Sequence, residues 1–171
     1  MDPPMKLLLV RHADAGDREE FAKSGDPDHL RPLSPKGREQ MRSAVAGLKK
    51  LVPSADLLVT SPYTRAQQTA AIVRDVYGKI AQEESSTLEP EVAPAAFEEW
   101  LREHGDHEVV IAVGHEPHLG ALATWLMSGS DDSRVEMKKG GACLLVFDKR
   151  VKKGAGTLRW LMGPKELAAL D

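Results

Sequence analysis

Cysteine is scarce in this chain, positive charge is not in excess, and long apolar runs and repeats are missing. Cys143 is the only cysteine, so an internal disulfide framework and a Cys-x-x-Cys site are both excluded. A net charge of −3 argues against general nucleic-acid binding. A few arginines in one cleft can still create a local positive field for an anionic ligand. No apolar stretch approaches the length of a membrane span, and no basic segment followed by an apolar one opens the chain. A soluble, cytoplasmic protein without a membrane or nucleic-acid partner is the expectation. There is no internal repeat and no low-complexity linker. At 171 residues the chain suits one domain over residues 1–171, with a core from about residue 5 to 162. Nothing suggests an obligate dimer, so a monomer is expected.

Alternation is what the chain does have. Lys6–Val10, Asp56–Thr60 and Val109–Val113 are short runs rich in Leu, Val and Ile, apolar on both faces, as buried parallel strands are. Helical stripes lie between and after them. Pro35 to Val52 aligns Met41, Val45, Leu48 and Leu51, with Ser34 placed as N-cap and Pro35 at the first position. Pro62 to Tyr77 aligns Ala66, Thr69, Ala70, Val73 and Val76 behind Ser61 as cap. Pro94 to His104 and Pro117 to Met127 repeat the pattern. Ala142–Phe147 and Thr157–Met162 read as a closing hairpin across a turn at 150–156, and Cys143 reads as a core residue of its strand. Such βα alternation predicts a three-layer αβα sandwich, with a mostly parallel central sheet and helices on both faces. The polar segment 14–33 reads as an irregular surface loop near the mouth of the first strand, of a length often tied to function.

Reactive side chains fall at the strand exits. The first strand delivers Arg11 and His12 to its tip, where open α/β sheets bind ligands. Arg65 follows the second strand in Ser61-Pro62-Tyr63-Thr64-Arg65-Ala66, and His115 follows the third in Val113-Gly114-His115-Glu116-Pro117. Phosphoryl transfer to a neutral imidazole needs fixed cations around the equatorial oxygens. Arginine suits that need, because its planar fork makes two parallel bonds to a phosphate. Nearby cations also keep the attacking imidazole neutral. His115 and His118 raise the idea of a metal pair, but no Asp, Glu or Cys cluster completes a ligand set, so no metal is expected.

These residues resemble the histidine phosphatase superfamily, the phosphoglycerate-mutase-like fold. Its mark is Arg-His-Gly after the first strand, a later Arg and a second His. The likeness is nearest to the short bacterial SixA branch of phosphohistidine phosphatases. It is carried by Leu9-Val10-Arg11-His12-Ala13, by Arg31-Pro32-Leu33-Ser34-Pro35-Lys36-Gly37, and by Ser61 through Thr69. Val113-Gly114-His115-Glu116-Pro117-His118-Leu119 and Lys138-Lys139-Gly140-Gly141-Ala142 continue it. Ala13 stands where the signature has glycine. The resemblance implies His12 as the phosphorylated nucleophile. Arg11, Arg65 and His115 would bind the phosphoryl group, without metal or organic cofactor. Arg31 and Ser61 are further candidates for phosphate or substrate binding, Arg31 either by touching the phosphate or by fixing the loop.

Phosphomonoester members of that superfamily carry a carboxylic acid after the second helix, commonly in Leu-x-Glu. Here the text is Leu88-Glu89-Pro90-Glu91, with Pro90 at the acid's position. A protonated phosphohistidine releases a neutral imidazole, for which an enzymic acid contributes little, whereas an alkoxide needs a proton. A phosphohistidine on a partner protein is therefore the expected substrate. A small phosphate ester, with Glu89, Glu91 or Asp14 as acid, is the alternative, and a phosphate-binding module without turnover is the third reading. Arg18, Lys23, Arg31, Lys36 and Arg38 offer contacts to an acidic partner, although each taken singly reads as an ordinary solvated charge.

Overall fold

The computed structural model describes residues 4–171. Six strands form one sheet in the order β3-β2-β4-β1-β5-β6. They are β1 (Met5–Arg11), β2 (Leu57–Thr60), β3 (Ala81–Glu84), β4 (Val109–Gly114), β5 (Ala142–Phe147) and β6 (Thr157–Met162). β1, β2, β3 and β4 run parallel, and β5 and β6 add to the β1 side antiparallel. Alternate side chains of each central strand enter different cores. Leu8, Val10, Leu58, Ile111 and Val113 pack under α2 (Pro35–Leu51) and α3 (Thr64–Tyr77). Leu7, Leu9, Val59, Val110 and Ala112 pack under α4 (Pro94–Glu103) and α5 (His118–Ser128). The expected αβα sandwich is the observed architecture, and the Cys143 thiol is buried in its core.

Several local expectations change. Segment 14–33 is not irregular throughout: it holds a short helix, α1 (Arg18–Ala22), capped by Asp17, and a 3₁₀ turn at Asp28–Leu30. β3 was not anticipated, because Ala-Gln-Glu-Glu is exposed along its whole length and pairs only as an edge strand. The short α6 (Pro164–Ala168) was also missed. It packs so closely on α2 that a Cβ on Gly47 would sit 1.7 Å from the Leu167 carbonyl oxygen. Leu51, placed on the buried stripe by periodicity, is 37% exposed at the helix end. α3 opens at Thr64 with Tyr63 at the cap position, so Ser61 is not its cap. Among the described residues no helix is long and apolar enough to cross a membrane.

Candidate active site

Strand order builds the site. β4 lies between β2 and β1, with Thr60 opposite Val113, and Arg11 opposite Gly114. Their backbone ladder continues one residue past the strands: Ser61 N–H and His12 N–H donate to the carbonyls of Val113 and Gly114, each at 3.0 Å. Ser61, His115 and His12 therefore emerge side by side at the carboxyl edge of the sheet, in the crevice such folds use for ligands. Arg11 is the last residue of β1, and Arg65 is the second residue of α3. The four residues expected to converge share this edge: the charges of Arg65 and Arg11 bear on both imidazoles. The His12 and His115 rings are 5.1 Å apart between centroids.

His12 is 6% exposed, and its Nδ1 lies 2.7 Å from the carbonyl oxygen of Ala13. A carbonyl only accepts, so Nδ1 carries the hydrogen and Nε2 keeps its lone pair. Burial first, then the charges of Arg65, Arg11 and Arg31, lower the His12 pKa to about 4, against the pull of the Ala13 carbonyl. The ring is neutral at pH 7. Burial, His12 and Arg65 lower the His115 pKa further, to about 2. Its Nε2 is 2.8 Å from the hydroxyl of Ser61, and its Nδ1 is buried without a hydrogen-bond partner.

Each arginine is gripped at one nitrogen and open at another. Arg11 Nη1 donates to the Met137 carbonyl at 2.8 Å, and Arg65 Nη1 donates to the Asp28 carbonyl at 3.0 Å. The Nε groups of both are buried with no protein acceptor. A buried N–H without an acceptor is costly, and an anion in the crevice is the natural partner for both. The uncapped N-terminus of α3 adds its dipole on the same side.

Motif residues around the site hold backbone. Thr69 Oγ1 accepts from Ala13 N–H at 3.1 Å and donates to the Arg65 carbonyl, tying the neighbour of His12 to the helix that carries Arg65. Gln68 Oε1 accepts from Leu33 N–H at 2.8 Å. Ser34 caps α2 and donates to the Asp14 carboxylate at 2.7 Å. A Cβ on Gly37 would sit 2.1 Å from the Asp14 carbonyl oxygen, which is why that position needs glycine. Arg31 is buried, and its guanidinium fixes the mouth segment. Nη1 donates to the carbonyls of Ala15 and Gly16, and Nε pairs with Asp28 at 2.9 Å. Its charge still bears on His12.

Two tethering carboxylates were not singled out from sequence. Asp28 faces Arg18 at 3.3 Å, Arg31 at 2.9 Å and Arg65 at 3.4 Å. Its pKa falls below the usual range, because hydrogen bonds and charge from Arg31 and its neighbours outweigh partial burial. The three-residue spacing to Arg31 was its only sequence signal. Glu116 accepts from Gly120 N–H and from Met137 N–H, the latter at 3.1 Å, so it anchors the residue whose carbonyl orients Arg11. It stood in plain view inside the Gly-His-Glu-Pro motif, but its partner Met137 is remote in sequence.

Of the candidate acids, Asp14 is held below the usual carboxylate range, first by its hydrogen bond from Ser34. Glu89 is half-buried after the 3₁₀ turn Ser86–Leu88, and Glu91 is exposed. The charges bearing most on the two imidazoles belong to arginines and histidines. His118 begins α5, buried with neither ring nitrogen partnered, and burial lowers its pKa to about 4. Among the described residues no group of three or more His, Cys, Asp and Glu side chains is placed to hold a metal ion.

Comparison with known proteins agrees with this fold. The family model of the histidine phosphatase superfamily, branch 1, matches residues 7–89. An uncharacterized protein of Picosynechococcus is 32% identical over 139 residues, covering 80% of this chain and 82% of that protein. The phosphohistidine phosphatase SixA of Escherichia coli is 26% identical over 170 residues, 95% of this chain and 96% of that one. The structure of the protein histidine phosphatase SixA complexed with tungstate superposes with a TM-score of 0.81 at 24% identity, covering 95% of this chain and 99% of that one.

Proposed function

The chain belongs to the histidine phosphatase superfamily, and on that premise we propose that it hydrolyses phosphohistidine on a partner protein through a phospho-His12 intermediate. The observation that carries the reading is the pair of buried, acceptorless arginine Nε groups beside a neutral imidazole whose Nε2 is free to attack.

His12 Nε2 forms a bond to phosphorus as the bond from phosphorus to the substrate nitrogen breaks. The bonding pair leaves with the substrate ring, which departs as neutral imidazole when its other nitrogen is protonated. Arg11, Arg65 and His115 hold the three equatorial oxygens. Phospho-His12 keeps its Nδ1 hydrogen on the Ala13 carbonyl, so it too is a good leaving group. Water then forms the new P–O bond, the P–N pair returns to Nε2, and the water's proton goes to the phosphate. No enzymic acid is required. This fits a chain that has Pro90 at the expected position of the acid and an Asp14 that stays ionised. The proposed setting is cytoplasmic, with the protein acting as a monomer.

Rapid quenching with a phosphohistidine peptide tests this. We expect an acid-labile phosphoenzyme in the wild type and none in His12→Ala. A His12→Ala protein that releases phosphate at the wild-type rate would refute the nucleophile. A strong preference for phenyl or sugar phosphates over the P–N substrate would instead favour the ester reading, with Glu89 or Glu91 as acid. A protein that forms no phosphoenzyme from either substrate would be a binding module.

A further inference from the structure

Ser61 is completely buried, and so, to within 1%, is His115. Two contacts reach the Ser61 hydroxyl: Tyr63 N–H donates to it at 3.3 Å, and His115 Nε2 lies 2.8 Å away. The serine is itself fixed. Its N–H donates to Val113, and its carbonyl accepts from Thr60 Oγ1 at 3.0 Å. The ring is fixed as well, edge-on to Tyr63 with 5.0 Å between centroids. A neutral imidazole carries one hydrogen, on Nδ1 or on Nε2, and the two cases differ in how the serine is satisfied. With hydrogen on Nε2, the serine oxygen would accept twice, from Tyr63 and His115. Its own buried hydrogen would then find no acceptor among the described residues. With hydrogen on Nδ1, the serine accepts from Tyr63 and donates to Nε2, and every polar atom of the pair is satisfied except the Nδ1–H. That atom is the one the structure leaves buried and unpartnered. The first arrangement therefore leaves two buried groups unmatched, the serine hydrogen and the Nδ1 lone pair, and the second leaves only the Nδ1–H. Each unsatisfied buried group costs about 1–3 kcal/mol, so the second arrangement wins.

We propose that Ser61 donates its hydroxyl hydrogen to His115 Nε2, thereby fixing His115 as the Nδ1–H tautomer and making Nδ1 the donor to a phosphoryl oxygen. This deepens the phosphatase reading and rests on it. Ser61 is then a positioning residue that reaches the phosphoryl group through the imidazole. A lone pair at Nδ1 would repel the same oxygen, so tautomer choice decides whether His115 helps or hinders.

The test is 15N NMR of the histidine side chains of the intact protein, with and without orthovanadate. We expect His115 protonated at Nδ1 in the free protein, with the Nδ1–H resonance shifting downfield when vanadate binds. In Ser61→Ala the Nε2–H form should appear, and kcat should fall by about 10²-fold, the scale of losing one oxyanion donor. KM should change far less, and Ser61→Thr should restore both tautomer and rate. A wild-type ring protonated at Nε2 in a protein that binds vanadate overturns this inference and leaves the phosphatase reading standing. A protein whose His12 and His115 resonances ignore both vanadate and inorganic phosphate overturns the phosphatase reading and the donor role with it. The wild-type spectrum decides the matter even where Ser61→Ala does not fold.

Discussion

The carboxyl edge of the sheet and the rim of loops above it hold the site in different ways. At the edge, Ser61, His12 and His115 continue strands whose ladder and two-sided apolar packing fix their backbone. From the rim come the groups that orient the arginines, the Met137 carbonyl for Arg11 and the Asp28 carbonyl and carboxylate for Arg65, on segments without long regular structure. The imidazoles stand on backbone that continues the strand ladder, and the partners that orient the arginines stand on connecting segments. Loss of an edge group should therefore remove chemistry, while loss of a rim tether should loosen binding and leave chemistry partly intact.

Substitution of either arginine should break the comparison most sharply, since both stand on the elements of the edge and take their orientation from the rim. Arg65→Ala and Arg11→Ala should each lower kcat by roughly 10²–10³-fold in steady-state assays on a phosphoramidate. Equal kcat with raised KM alone would assign them to ground-state binding. The rim tethers should give smaller effects. Glu116→Ala removes the anchor of Met137 N–H, and Asp28→Asn removes one charge beside Arg65. Each should raise KM and the inhibition constant for vanadate by about 3- to 10-fold, the range set by the net worth of one hydrogen bond of about 0.5–1.5 kcal/mol. A kcat loss as large as that of Arg11→Ala would erase the distinction between edge and rim.

A control lies away from both regions. Gly47→Ala drives a methyl into the Leu167 carbonyl between α2 and α6, and overpacking of this kind costs about 1–3 kcal/mol. Denaturant melts should show that loss while kcat stays near the wild-type value.

The smallest effect concerns pH. His12, His115 and His118 have folded pKa values of about 4, 2 and 4, below the ordinary 6.5. The unfolded chain takes up protons below about pH 6.5 while the native state does not. Stability is therefore full above that pH and declines as pH falls toward 4, the more unfolded-state protonation accumulates. His118 serves as the probe, because it lies in the interior with no partner. His118→Leu should recover on the order of 1 kcal/mol at about pH 5.5 relative to the wild type. An unchanged difference between melts at pH 7 and pH 5.5 would mean that His118 titrates normally. Turnover should persist on the acid side until His12 protonates near 4.

Legibility followed burial. β1, β2 and β4 could be read because strands covered on both faces are apolar throughout, and β5 for nearly the same reason. β3 could not, since an exposed edge strand carries no periodic signal, and α6 is too short to show one. Arg11, His12, Arg65 and His115 were legible because their motifs sit at strand exits. Asp28 and Glu116 were not, because their importance lies in partners 37 and 21 residues away.

The sequence by itself determined which segments become buried strands and which reactive side chains stand at their ends, because hydrophobic periodicity and capping are local properties of the chain. Only the tertiary structure decided that β4 would lie between β1 and β2. That order is what sets two imidazoles 5.1 Å apart, makes both neutral, and leaves two guanidinium nitrogens without acceptors. The physical reason is that strand order, desolvation and hydrogen-bond satisfaction belong to the packed whole, and no stretch of neighbouring residues encodes them.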